Sequence, residues 1–66
     1  MDKTVIARRL VELRGKKSRK EVAFALGVSI SGLTMYENGC RVPRDEIKRR
    51  IASYYGKSVE EIFFTD

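Results

Sequence analysis

Apolar residues at Ile6, Leu10 and Leu13 recur at i, i+4 and i+7, which predicts one helical stripe from Lys3 to Arg14. Val5 sits beside that stripe, and Arg8, Arg9 and Glu12 lie off it. Gly15 is expected to close this helix as a left-handed cap. Ser18-Arg19-Lys20-Glu21 has the form of a capping box, in which the Ser oxygen accepts the amide three residues on and Glu21 reaches back. A second helix then runs to Leu26, with Val22, Ala23 and Leu26 inward and Gly27 just past its end. Only Val28 separates Gly27 from Ser29, a good N-cap, so a third helix starts almost at once. It runs through Tyr36 or Glu37 and ends at Asn38-Gly39.

Pro43 suits the first turn of a fourth helix, whose N-terminal dipole favours Asp45 and Glu46. Ile47, Ile51 and Ala52 face inward there, joined by Tyr54 or Tyr55, and Gly56 ends the helix. Ser58-Val59-Glu60-Glu61 is a second capping box, opening a short fifth helix with Val59, Ile62 and Phe63 inward. No stretch alternates as a strand would. The pattern predicts an all-α single domain over residues 1–66, with a helix-turn-helix at about 18–38 and closing helices at about 43–63.

Composition narrows the function. With 66 residues the chain is too short for a barrel or a doubly wound sheet, and a domain this small buries only about 60% of its unfolded surface. One Cys and no His exclude an internal disulfide, a zinc site of Cys and His ligands, and any nucleophilic triad that depends on His. Stability is left to tight helix packing, dimerisation, or both. No apolar run is long enough to span a membrane and no signal core follows Met1-Asp2-Lys3. Cys40, an incidental link residue, fits a reducing, cytoplasmic setting. No cofactor, small-molecule effector or enzymatic activity is implied.

The net charge of +5 matters less than its distribution. Residues 3–20 carry eight Lys and Arg against Glu12, a local +7; residues 21–40 carry Glu21 and Glu37 and no cation, a local −2. Residues 41–57 carry six Lys and Arg against Asp45 and Glu46, a local +4. A charge run alone reads as a solvated helix face. Two basic blocks flanking a central stretch (21–40) without cations point instead to a polyanion met on both sides of that stretch, once it has a recognisable shape.

Helix, short glycine turn and helix is the description of a helix-turn-helix. Ala23 is small where the two helices cross, Gly27 supplies the turn, and Val28, Leu33 and Tyr36 anchor the third helix. The run from Ser18 to Ser29, with its continuation from Leu33 to Pro43, resembles the Cro/C1-type (XRE) helix-turn-helix family. Ile51 to Phe63 looks like that family's closing helices. The resemblance implies a compact five-helix, lambda-repressor-like domain. It also implies a sequence-specific DNA-binding regulator, commonly a bacterial or phage repressor that dimerises on two-fold operators. It further implies a structural ion pair between Arg14 and Glu37. The family often has Gln where this chain has Arg19, so an adenine-type contact gives way to a phosphate or guanine contact. The loop between the first two helices is also about two residues shorter than usual, which brings the basic run from Arg14 to Lys20 close to the second helix.

With Leu33 and Tyr36 inward, Ser31, Thr34, Met35 and Asn38 form the opposite stripe, bordered by Ile30. In helix-turn-helix docking this face enters the major groove. Ile30, Ser31, Gly32, Thr34 and Met35, with Arg19, are the candidate base readers. Ser31 and Thr34 suit polar base edges, and Ile30 and Met35 suit thymine methyls. Gly32 either lets backbone approach DNA or is simply tolerated by the packed helix. Lys17, Ser18, Lys20, Ser29, Asn38, Arg41 and Arg44 are candidate phosphate contacts, whereas Lys48, Arg49 and Arg50 read as an exposed helix face. Four of the six aromatics fall late in the chain, so Tyr54, Tyr55, Phe63 and Phe64 form a candidate homodimer seam. Two rival functions stay open: an antitoxin that also binds its own promoter, and a helical protein-interaction module without DNA.

Overall fold

A computed structural model describes residues 2–64. Five helical elements follow one another: α1 (Lys3–Arg14), α2 (Arg19–Leu26), α3 (Ile30–Glu37), α4 (Asp45–Tyr55) and α5 (Glu60–Phe64). Among the described residues there is no strand. α3 packs against both α1 and α2, α4 packs against α2, and α5 closes over α1. The core takes Ile6 and Leu10 from α1, Val22, Ala23 and Leu26 from α2, and Leu33 and Tyr36 from α3. From the closing elements come Ile47, Ile51, Ala52, Ile62 and Phe63. Ala7 is also buried on α1, while Leu13 is only half-buried.

Local chemistry sets each boundary. The Asp2 carboxylate accepts the Thr4 amide at 2.8 Å and starts α1. Gly15 ends α1 at φ 56°, ψ −123°, outside the left-handed helical well expected there. This region is open essentially to glycine alone, and it turns the chain sharply into the short link before α2. Ser18 Oγ accepts the Glu21 amide at 3.0 Å, but Glu21 does not reach back, so the first capping box is only half formed. Gly27 adopts φ 72°, ψ 31°, and the amide of Val28 donates to Ala23 O at 3.0 Å. That six-to-one bond and the half-buried Val28 make a Schellman turn, which leads within two residues to the Ser29 cap of α3.

The second capping box is complete: the Glu61 amide donates to Ser58 Oγ at 3.1 Å and the Ser58 amide donates to Glu61 Oε1 at 3.0 Å. The Ser58 backbone N–H, then its hydroxyl, hold the Glu61 carboxyl below its ordinary range. The element it opens has the wider π-helical winding over a single turn. Arg9 fastens this element to α1 by donating from Nη1 to Glu61 O at 3.3 Å and to Ile62 O at 2.9 Å.

Three expectations are corrected here. α4 begins at Asp45, not at Pro43, because Arg44 keeps an extended ψ of 162° and serves as N-cap. Pro43 is buried in the preceding link. Lys48 is 6% exposed rather than solvent-facing. Its ammonium lies 5.1 Å from the Phe64 ring centroid and 5.8 Å from that of Phe63, with Asp45 Oδ1 at 3.6 Å. The rings supply the attraction that water would otherwise provide. Phe63 is 2% exposed inside the core, so it has no surface to offer a dimer seam.

Candidate nucleic-acid interface

α3 is held from below by Leu33 and Tyr36 and leaves its opposite face to solvent. Ile30 is 48% and Met35 39% exposed, and Ser31 and Asn38 are exposed beside them. Thr34 is half-buried and its hydroxyl donates to Ile30 O at 2.8 Å. With its proton spent on the backbone, that oxygen faces a ligand as an acceptor only. Gly32 is not on the open face. It is half-buried with its amide donating to Ser29 Oγ at 2.9 Å, and a Cβ there would lie 3.1 Å from the same oxygen. Its lack of a side chain eases the cap, and it lines the flank of α3 nearest α4.

That flank is a polar cleft of about 380 Å³, walled by Ser29, Gly32, Tyr36, Arg41, Arg44 and Arg50 among others. The N-terminus of α4 beside it has no side-chain cap, which leaves first-turn amides for an outside acceptor. Arg41 and Arg44 are exposed and form no ion pair among the described residues. Arg50 pairs with Glu46 at 2.8 Å and donates to Leu26 O at 3.3 Å, bracing α4 against the turn. Periodicity alone placed Arg50 on a bare helix face. Its i,i+4 spacing from Glu46 was the available signal.

At the other end of α3, Glu37 is buried with its side chain 0% exposed. Arg14 Nε donates to Glu37 Oε2 at 2.8 Å and to Oε1 at 3.1 Å, and Arg14 Nη1 donates to Lys17 O at 2.7 Å. Arg19 Nε donates to Glu37 Oε1 at 2.9 Å. Two guanidinium groups from α1 and α2 therefore share one carboxylate from α3, leaving a formal excess of one positive charge at this junction. Tyr55 senses the same group: burial first, and the Glu37 charge next, push its hydroxyl up to about 12.

The remaining candidates divide. Ser18 Oγ and Ser29 Oγ already accept amides as caps, so these residues present backbone more than side chain. Lys20 is exposed. Lys17 and Tyr54, expected on different surfaces, meet: Lys17 Nζ donates to Tyr54 Oη at 3.2 Å and lies 4.8 Å from the ring centroid. Tyr54 and Tyr55 stand edge to face at 4.9 Å and are half-buried, while Phe64 is 57% exposed. Phe24, which no pattern singled out, is 89% exposed on α2.

Two capped helices joined by a glycine turn, the second offering a cation-free face between basic flanks, define a helix-turn-helix domain of the DNA-binding class. A family model described as helix-turn-helix matches residues 7–62, and the chain belongs to this Cro/C1-type (XRE) family of DNA-binding regulators. No curated protein and no solved structure matches the chain significantly. No helix among the described residues is long and apolar enough to cross a membrane.

Proposed function

We propose that the protein is a sequence-specific regulator of transcription, a cytoplasmic repressor of bacterial or phage origin. In this reading α3 lies in the major groove of double-stranded DNA. The observation that carries the reading is the open face of α3: Ile30, Ser31, Thr34 and Met35, without a charge, between two groups of cations. An α-helix fills the major groove, and a face free of cations gains nothing there from non-specific phosphate attraction. Its contacts must come from base edges. Ile30 and Met35 meet thymine methyls, Ser31 hydrogen-bonds base edges, and Thr34 accepts from adenine or cytosine amino groups. Lys20 and the amides behind Ser18 take phosphate on one side, and Arg41, Arg44 and the free amides of α4 take it on the other, with Asn38 and Ser29 between.

A two-fold dimer on a two-fold operator accompanies this reading. Phe64 is its main apolar contact, beside Tyr54 and Tyr55, and sets the half-sites about one turn of DNA (~34 Å) apart. Titration of the chain into random duplex DNA tests the core of the proposal. Affinity that falls steeply with salt supports it, and affinity that is absent or indifferent to salt overturns it. Sedimentation as a monomer at micromolar concentration, with and without bound DNA, would remove the dimer.

A second reading, in which the chain also binds a protein, draws on Phe24. An aromatic ring 89% exposed serves neither the core nor the groove face. A small toxin gene encoded beside this one would carry that reading further.

A further inference from the structure

We infer that Arg19 selects a guanine, and that Glu37 is the positioning residue that aims it; this rests on the reading that α3 occupies the major groove. Arg19 is the first residue of α2, yet its Nε is fastened at 2.9 Å to a carboxylate in the last turn of α3. Its side chain is therefore fixed to the recognition helix. The acceptor is itself immobile, since Glu37 is fully enclosed and both of its oxygens are held by Arg14 at 2.8 and 3.1 Å. With Nε engaged, the edge of the guanidinium carrying Nη1 and Nη2 is left over. Those atoms make no hydrogen bond among the described residues, and the side chain is 39% exposed. Two parallel N–H donors held in a plane match guanine O6 and N7, the pair most often read by arginine. The groove face of α3 has no long bidentate side chain of its own, so this fork supplies what that face lacks.

A phosphate also accepts a bidentate arginine, so the test separates the two. Sites are selected from random duplex DNA by the wild-type chain and by Arg19→Lys and Arg19→Ala. The wild type should enrich guanine at a position where Arg19→Ala loses the preference and Arg19→Lys, with a flexible ammonium in place of the planar fork, only weakens it, while other positions keep theirs. Affinity for the wild-type site should fall about tenfold to a hundredfold in Arg19→Ala and less in Arg19→Lys. Guanine retained by Arg19→Ala overturns the assignment. So does an equal loss across all sequences with a shallower salt slope, which marks a phosphate contact, and so does unchanged binding by Arg19→Ala, which marks a purely structural role. Glu37→Gln, measured where circular dichroism shows it folded, should blur that same position alone; a preserved guanine removes the positioning role. If Glu37→Gln is unfolded throughout, Glu37→Asp, which keeps the charge and draws the carboxylate back from Arg19, takes its place with the same two outcomes. A wild-type chain that enriches nothing overturns the proposed function itself, whereas normal enrichment with unaltered Arg19 variants overturns only this inference.

Discussion

Replacing Glu37 by Gln removes one negative charge from between two guanidinium groups while leaving the volume nearly unchanged. Breaking a buried ion pair from one side costs about 3–5 kcal/mol, because the partner charge stays desolvated. Here the orphaned groups are only partly enclosed, with the Arg14 and Arg19 side chains 17% and 39% exposed, so water restores part of the loss. Discounted for that solvation, the cost should be roughly 2–4 kcal/mol. A 66-residue domain has roughly 3–10 kcal/mol in total, so the variant stands near its unfolding threshold. The two arginines should not be equivalent. Arg14→Ala takes away both contacts to the carboxylate and the bond to Lys17 O, at about 2–3 kcal/mol. Arg19→Ala leaves Glu37 doubly bonded to Arg14 and should cost about 1 kcal/mol or less. Urea unfolding followed by circular dichroism, with a slope near 1 kcal/mol per molar for a domain of this size, resolves these differences as midpoint shifts. A Glu37→Gln midpoint equal to wild type would refute the shared buried carboxylate, and Arg19→Ala as damaging as Arg14→Ala would refute the ranking of its two partners.

Other expectations use different parts of the molecule. Gly27→Ala forces a Cβ into a left-handed residue and brings it to 3.3 Å from Arg50 Nη1, so thermal unfolding should report a loss of about 1–2 kcal/mol. Burial raises the Tyr55 hydroxyl from 10.0 to about 12, so its contribution to stability is complete below pH 10 and is lost as pH rises through 12. Tyrosinate absorbance should then show a late phase that Tyr55→Phe abolishes. Arg44→Ala should weaken binding to all DNA alike and reduce the salt slope by about 1, while Met35→Ala should change which sequences bind. Identical behaviour of these two variants in a binding titration would show the division of contacts to be wrong.

The helices were legible because their signals are local. Ser18, Ser29 and Ser58 cap where they should, glycines follow α1, α2 and α4, and the apolar spacing named Val22, Ala23, Leu26, Leu33 and Ile51 as inward. Less legible were features set by distant chain. Lys48 follows Ile47 by one residue and looks solvent-facing until α5 brings Phe63 and Phe64 over its ammonium. The same closure draws Phe63 away from the surface while leaving Phe64 there. Arg19 and Glu37 lie eighteen residues apart and meet only because α2 and α3 cross as they do. For the interface, the groove face of α3 followed from periodicity once its inward residues were chosen. The place of Gly32 on the α4 flank follows from the packing of α4 beside α3. The spent proton of Thr34 follows from a rotamer that bonds Ile30 O one turn back, a choice the sequence leaves open between backbone and solvent.

Exchange of single thymines for uracil in a duplex that the protein selects tests the central claim most directly, because it deletes one major-groove methyl and nothing else. If the apolar face of α3 reads those methyls, affinity should fall about fourfold at the positions facing Ile30 and Met35, the worth of one buried methyl. Met35→Ala should make its own position indifferent to the exchange. Binding unaffected by uracil at every position would contradict the account.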